Sequence, residues 1–391
     1  MQIIRTRVMS EIKPSRFYFI VFFIWLLLYL VPGIRIDQYL VARTSDPKYL
    51  EDFSYYERAL DDVLNGKDPY AVRSIGLGYL YPLPALFIVE AFHNIQPFYL
   101  KLFAYTALNV ALIILIVAGI SKHYGHSAKK IWYWYVFCLG FAPLFELLYI
   151  GQINVITLFG IFMLFFWLDS SPVLSGFGLS LAILTKVSPI VFFGYLAATK
   201  KIKPIIATAA WVVIIIAISA VRYGVSPIIA YPEVFQWISS QFPIDNNSQS
   251  LLSKTVMTFN FPLHDFSYRS FQTALMLYVF SIIFLSGVFM IRGKQPREPL
   301  FIITAFGMAV LPNIMWYHHY VFILLPILIW MGWKYPDFRV TAWCLLGLTI
   351  IQVERYLTFG FLAHVFVHIS MLLILLGQIR QFYSQKNLQR I

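Results

Sequence analysis

A few short stretches of this chain hold side chains whose type and spacing could do chemistry. Eight of the eighteen acids crowd into residues 35–78: Asp37, Asp46, Glu51, Asp52, Glu57, Asp61, Asp62 and Asp68. Carboxylates at that density can act as general bases, general acids or cation ligands. Lys186, within Leu184-Thr185-Lys186-Val187-Ser188-Pro189, interrupts an apolar run. A lysine midway along such a run must find a partner or a water-filled cavity, which makes it a functional candidate. Glu90, Glu146 and Glu354 raise the same question. His318 and His319 follow one another in Trp316-Tyr317-His318-His319-Tyr320. Adjacent helical positions point in different directions, and a two-histidine metal site needs i, i+4 spacing, so no metal is expected. One of the pair facing a polar cavity could hold a phosphate or move a proton; a histidine in an interfacial aromatic belt is the competing account.

The elements that must position these groups follow from composition. Apolar side chains make up 60% and charged ones 12% of 391 residues, with a mean hydropathy of +0.72. A soluble globular chain carries about 25% charged residues. These values exclude disordered, collagenous, disulfide-scaffold and coiled-coil classes and point to an all-α polytopic membrane protein. Cys138 and Cys344 both lie in apolar runs, which leaves no external disulfide framework. The net charge of +12 sits in short basic clusters between apolar stretches. That is the marking of cytoplasmic loops, not the basic stripe of a nucleic-acid binder, and no nucleic-acid partner is expected.

Apolar runs long enough to cross a bilayer begin with Phe17 to Ile34, read as a retained anchor because no small-residue cleavage site follows. Others cover 79–96, 99–120, 131–149, 151–168, 173–198, 204–221, 270–291, 299–315, 318–333, 340–357 and 361–379. The expectation is therefore one domain over 1–391 with about twelve transmembrane helices. Both termini are placed inside, as Lys200, Lys201, Lys203, Arg292, Lys294 and Arg297 require; Lys122, Lys129 and Lys130 break the rule. Two polar stretches, 35–78 and 222–269, then fall outside as long external loops, and loops of that length are usually functional.

Within the first loop, Phe53, Tyr56, Leu60, Val63 and Leu64 make a helical stripe, stopped by Asn65-Gly66 and kept from restarting by Asp68-Pro69. The stripe predicts an amphipathic helix in the interface with its apolar face toward lipid. Asp52 sits near its N-terminus, where the helix dipole favours a carboxylate, which is also where an ordinary helix places an acid. Glu57, Asp61 and Asp62 read as a solvated face. Tyr79-Leu80-Tyr81-Pro82-Leu83-Pro84 can simply start a helix. Gly151-Gln152-Ile153-Asn154 is a polar break between apolar runs and fits a tight connection equally well.

Taken in order, these residues resemble glycosyltransferase family 87. The likeness rests on Asp52-Phe53-Ser54-Tyr55-Tyr56, Gly66-Lys67-Asp68-Pro69-Tyr70, Tyr81-Pro82-Leu83-Pro84, Gly151-Gln152-Ile153-Asn154, Lys186-Val187-Ser188-Pro189 and His318-His319. Asn246-Asn247-Ser248-Gln249-Ser250-Leu251 resembles the family's Asn-Gln-Ser-Leu element with one residue inserted. Leu83 separates Pro82 from Pro84 where the family usually has two consecutive prolines.

The resemblance implies a GT-C-type membrane bundle that moves mannose or a related hexose from a polyprenyl-phosphate-linked donor, with inversion, to a hydroxyl of a glycolipid or glycan. It places the reaction on the external, periplasmic side of a bacterial inner membrane. Departure of a phosphate needs no general acid, so one carboxylate base suffices, unlike the pair in most glycosidases. By resemblance Asp52 is that base, and His318, His319, Lys186 and Arg73 are candidates for the phosphate. Tyr56, Asp68, Tyr70, Tyr81, Gln152 and Asn154 would contact substrate, with Gln249 and Ser250 closing the cavity from the second loop. No cofactor and no nucleotide-sugar site are expected, since no Gly-rich phosphate loop is present. Two rivals are a lipid-linked-sugar flippase or secondary transporter, which would show internal repeats, and a non-catalytic scaffold.

Overall fold

The computed structural model describes residues 50–74, 78–126, 128–240, 297–310 and 314–332. Among them there are twelve α-helices and no strand. In chain order these are α1 (Glu51–Leu64), α2 (Leu86–His93), α3 (Phe98–His123), α4 (Ala128–Leu139), α5 (Ala142–Ile150) and α6 (Asn154–Trp167). Then come α7 (Pro172–Thr185), α8 (Phe192–Ala198), α9 (Ile202–Tyr223), α10 (Ser226–Ser240), α11 (Arg297–Val310) and α12 (Leu324–Gly332). Short 3-10 turns at Leu83–Ala85, Ser188–Val191 and Tyr317–Ile323 lead into α2, α8 and α12.

Two of these helices are long and apolar enough to cross a membrane: α3 with 26 residues and α9 with 22. At 1.5 Å per residue they reach roughly 39 and 33 Å, against a hydrocarbon core of about 30 Å. Both leave apolar side chains uncovered by protein, among them Phe103 and Leu115 on α3 and Ile206, Val213 and Val221 on α9. The expected count of twelve spans does not emerge. The runs at 17–34, 270–291, 340–357 and 361–379 lie outside the described residues, as do Cys344 and Glu354. Most of the others are shorter or broken.

Each break has a local cause. The run at 79–96 becomes helical only at Leu83, after Pro82 and with Pro84 inside the first turn. The run at 131–149 divides at Gly140-Phe141, where Pro143 starts a new helix in place of extending the old one. The run at 151–168 yields the 14 residues of α6. The run at 173–198 stops at Thr185; Lys186 turns extended at φ −156°, ψ 128°, and Pro189 lies in the 3-10 turn that follows. Lys186 is thus not midway along a span but at a break in one. Non-helical backbone at membrane depth is tolerated only where protein covers it or it lines a cavity.

Close approach of α6 and α7 depends on glycine. A Cβ added at Gly160 would meet the Gly178 carbonyl, and one at Gly178 would meet the Met163 Cβ. This contact aligns the start of α6, which carries Asn154, with the end of α7, which carries Lys186. The main core joins α3 to α8 with α11 and α12.

A second apolar cluster joins α1 to α2, α3 and α10, and here the expectation for α1 is corrected. Phe53, Tyr56, Ala59, Leu60 and Val63 are all buried, but against protein and not lipid. The Phe53 ring lies 4.9 Å from Tyr105 of α3 and 6.3 Å from Phe92 of α2. Leu64, the last residue of the stripe, is exposed. Glu57 is likewise no simple solvated residue, since Lys101 of α3 and His93 of α2 both pair with it, and His93 reaches Asp61 as well. These ion pairs and the aromatic contacts clamp α1 onto α2 and α3. The second loop opens with helix α10, whose Tyr231 ring lies 5.7 Å from Tyr70 and whose Glu233 pairs with Arg73 at 2.9 Å. The described parts of the two loops therefore pack on one face.

Candidate active site

The site begins where two helix ends meet. Leu50, preceding α1, has φ 57°, a left-handed conformation costly for a residue with a Cβ. It is held there because its N–H donates to the Tyr149 carbonyl at 2.8 Å and its side chain is buried. Opposite it, α5 ends at Gly151 with φ 78°, and the N–H groups of Gly151 and Gln152 both donate to the Leu147 carbonyl. A Cβ at Gly151 would lie 2.7 Å from the Phe53 Cβ and 2.9 Å from Leu50 Cδ2. Only glycine supplies both the turn and the clearance. The consequence is that Gln152, next in the chain, lies against Asp52 in the first turn of α1.

Gln152 then becomes the hub. Its Oε1 accepts from the Tyr56 hydroxyl at 2.9 Å and the Tyr81 hydroxyl at 2.8 Å. Its backbone carbonyl accepts from the Tyr105 hydroxyl at 2.8 Å. With the carbonyl side of the amide occupied by two phenols, the NH2 side faces Asp52, and Nε2 donates to Asp52 Oδ2. An ionised carboxylate only accepts hydrogen bonds, so this arrangement suits Asp52 in its ionised, proton-accepting form. Burial pushes the Asp52 carboxyl above its ordinary range, opposed by the charge of His318 and the Gln152 bond. Burial also keeps the Tyr56 phenol protonated and hence a donor.

The other half of the site is basic. Lys186, at the break after α7, donates to Asn154 Oδ1 at 3.3 Å and lies 2.7 Å from His319 Nε2. His319 Nδ1 accepts from the Trp316 N–H at 3.0 Å, so the proton of the neutral ring sits on Nε2 and is donated to Lys186 Nζ, which can accept it only as an uncharged amine. His318 stands edge-on to His319 at 4.6 Å between ring centroids, and its Nδ1 lies 3.4 Å from Glu146 Oε1. The field of Asp52 reaches Lys186, and the charge of His318 reaches Asp52. Among the described residues, Asn154 Nδ2 and His318 Nε2 are buried without a hydrogen-bond partner. Orphaned buried polar atoms are rare and often mark where a ligand belongs.

Not every residue singled out in the sequence joins this cluster. Asp52, Tyr56, Tyr81, Gln152, Asn154, Lys186, His318 and His319 come together. Tyr70 is buried nearby and donates to the Tyr81 carbonyl at 3.1 Å, which makes it a support for Tyr81. Asp68 is exposed and accepts from the Tyr70 N–H, closing a turn. Arg73 is engaged with Glu233 at the surface. Gln249 and Ser250 lie outside the described residues. Two participants carried little signal: Tyr105 looks like one aromatic of many in α3, and Glu146 was visible only as an acid in an apolar run. Among the described residues no group of three or more His, Cys, Asp or Glu could hold a metal ion.

A buried carboxylate that accepts from the Gln152 amide, within electrostatic reach of Lys186 and His318, can deprotonate a hydroxyl while a nearby anion departs. Comparison with known proteins bears on which reaction that is. The model of glycosyltransferase family 87 matches residues 79–326, more than half of the chain. The matched stretch includes Gln152, Asn154, Lys186 and both histidines and begins after Asp52. No curated protein matches the chain.

Proposed function

The chain belongs to glycosyltransferase family 87, and on that premise we propose that it is an inverting hexosyltransferase, with mannose the favoured sugar. The donor is a polyprenyl-phosphate-linked hexose and the acceptor a hydroxyl of a glycolipid or glycan. Asp52 takes the acceptor proton as the acceptor oxygen bonds to the anomeric carbon. The bond from that carbon to the phosphate oxygen breaks, and its electron pair leaves with the polyprenyl phosphate. Charge balances: the carboxylate is neutralised as the phosphate goes from one negative charge to two. The phosphate therefore needs donors that act more strongly late in the reaction. Lys186, His319, the Asn154 amide and His318 Nε2 provide them. Gln152 holds Asp52, and Tyr56 and Tyr81 hold Gln152.

The observation that carries this reading is the Gln152 amide, turned by two phenols so that its NH2 faces Asp52, with His318 and Lys186 within electrostatic reach of that carboxylate. A scaffold without chemistry has no need of a buried carboxylate kept as an acceptor. The whole chain, 1–391, acts as one multi-pass domain of a bacterial inner membrane, with the site on the external face. The packing of α10 against Tyr70 and Arg73 supports that sidedness, because it gathers the two loops on one side.

Transfer of labelled mannose from a short-chain polyprenyl-phosphate-mannose into a lipid extract of the host membrane tests the proposal. Product with the wild type and none with folded Asp52→Asn is expected. Equal product from both would remove Asp52 from the mechanism. No product from either, across several sugars, would refute the transferase reading in favour of transport.

A further inference from the structure

We propose that Glu146 is a positioning residue for His318, fixing which ring nitrogen carries the proton and so aiming Nε2 at the departing phosphate; this rests on the transferase reading above. Glu146 lies in α5, which packs on the 3-10 turn Tyr317–Ile323, and both it and His318 are about 95% buried. An ionised carboxylate only accepts, so with Glu146 in that form the 3.4 Å approach of Oε1 to His318 Nδ1 places a proton on Nδ1. The remaining nitrogen, Nε2, is buried without a hydrogen-bond partner among the described residues.

The neighbouring ring shows the opposite arrangement. His319 Nδ1 accepts from a backbone N–H, which places its proton on Nε2. Two adjacent histidines are thus held in opposite tautomers, one by the main chain and one by Glu146. Such a second partner commonly decides the state of a histidine. Only the His318 arrangement leaves Nε2 able to take a second proton without losing its bond to Glu146. A proton taken up from solvent before the donor binds gives the imidazolium, whose Nε2–H donates to the phosphate as its charge grows and whose charge the Glu146 carboxylate balances. Among the described residues, the other charged or polar groups on this side are Asp52 from α1, which feels the charge of His318, and His319 beside it, with Lys186 and then Asn154 beyond His319. None of these takes the place of an acceptor at Nδ1.

Two measurements on the full-length protein in detergent decide the matter. The first is the 15N signature of the His318 ring, assigned with His318→Ala. The wild type and Glu146→Gln, which keeps an acceptor oxygen, are expected to show Nδ1–H. Glu146→Leu is expected to lose that preference. An unchanged Nδ1–H tautomer in Glu146→Leu overturns the proposal. The second is a double-mutant cycle on sugar transfer, which stays decisive if Glu146→Leu does not fold. Glu146→Gln is expected to lower kcat about tenfold or more and leave the acceptor KM within about twofold, as expected for a charged hydrogen bond. On a His318→Ala background the same change is expected to do nothing further. Equal effects of Glu146→Gln with and without His318 would show a structural role and overturn the proposal. The ring signature needs no sugar donor, so a failure of the transferase reading would appear only in the second measurement.

Discussion

Gln152→Glu is the most discriminating single substitution for the hub. It preserves size and shape, and it leaves an oxygen where Tyr56 and Tyr81 donate. What changes is the group facing Asp52 Oδ2, from an N–H donor to a second carboxylate oxygen. Two acceptors in contact must share a proton, and the pair then holds one proton near neutrality as other close carboxylates do. A hydrogen bond to a charged group contributes about 1.5–3 kcal/mol. At roughly 1.4 kcal/mol per tenfold in rate, its loss predicts a fall in kcat of about 10- to 150-fold at neutral pH. Rising pH should restore part of the rate as the shared proton leaves. The assay is transfer from polyprenyl-phosphate-mannose between about pH 6 and 9, with circular dichroism to confirm folding. A Gln152→Glu enzyme within about twofold of wild type throughout would show that the amide does not hold the base.

Three further outcomes follow from the same geometry. Because burial raises the Asp52 carboxyl, the acid limb of the wild-type rate profile should lie above its ordinary value of 3.8. A raised carboxyl also means that the folded state binds more protons than the unfolded one, so the ionised group lowers stability as pH rises through that range. Asp52→Asn should accordingly melt no lower than wild type at pH 7 while losing about 100- to 10,000-fold in rate, the usual share of a general base; a clear drop in melting temperature would contradict this. Gly151→Ala should cost about 1–2 kcal/mol from the left-handed backbone alone. Its Cβ would also press on Phe53 and Leu50, so α1 must shift away from Gln152. Rate should fall more than the melting temperature suggests, and unchanged activity would mean that this contact does not set the position of Asp52.

The distance between sequence and site is instructive because the useful residues sit at helix breaks. Pro82, Pro84, Pro143 and Pro189 announce where helices start or cannot continue, yet hydropathy averages over windows of about 20 residues and smooths the breaks into spans. This is why Lys186 reads as mid-span in the sequence and terminates α7 in the structure. The same smoothing turns the run at 131–149 into one helix in place of two. The amphipathic stripe of α1 was legible to within one residue at its apolar positions, but a stripe does not say what covers it. Lipid and protein satisfy an apolar face equally well, and only the Phe53 contacts with Phe92 and Tyr105 decide for protein.

The all-helical class, the loop helix with Asp52 in its first turn and the polar turn at Gln152 were determined by the sequence itself, because periodicity, proline and glycine act through neighbours a few residues away. Its basic residues were visible too, but not their separation into Arg73 at the surface and Lys186 in the cluster. That separation depends on Glu233, 160 residues along the chain from Arg73. The same holds for Gln152, which reads as a substrate contact in the sequence and becomes the support for Asp52 only when α1, 100 residues earlier, folds onto the end of α5. Hydrogen-bond direction is a property of pairs brought together by packing, and no single segment of the chain contains both partners.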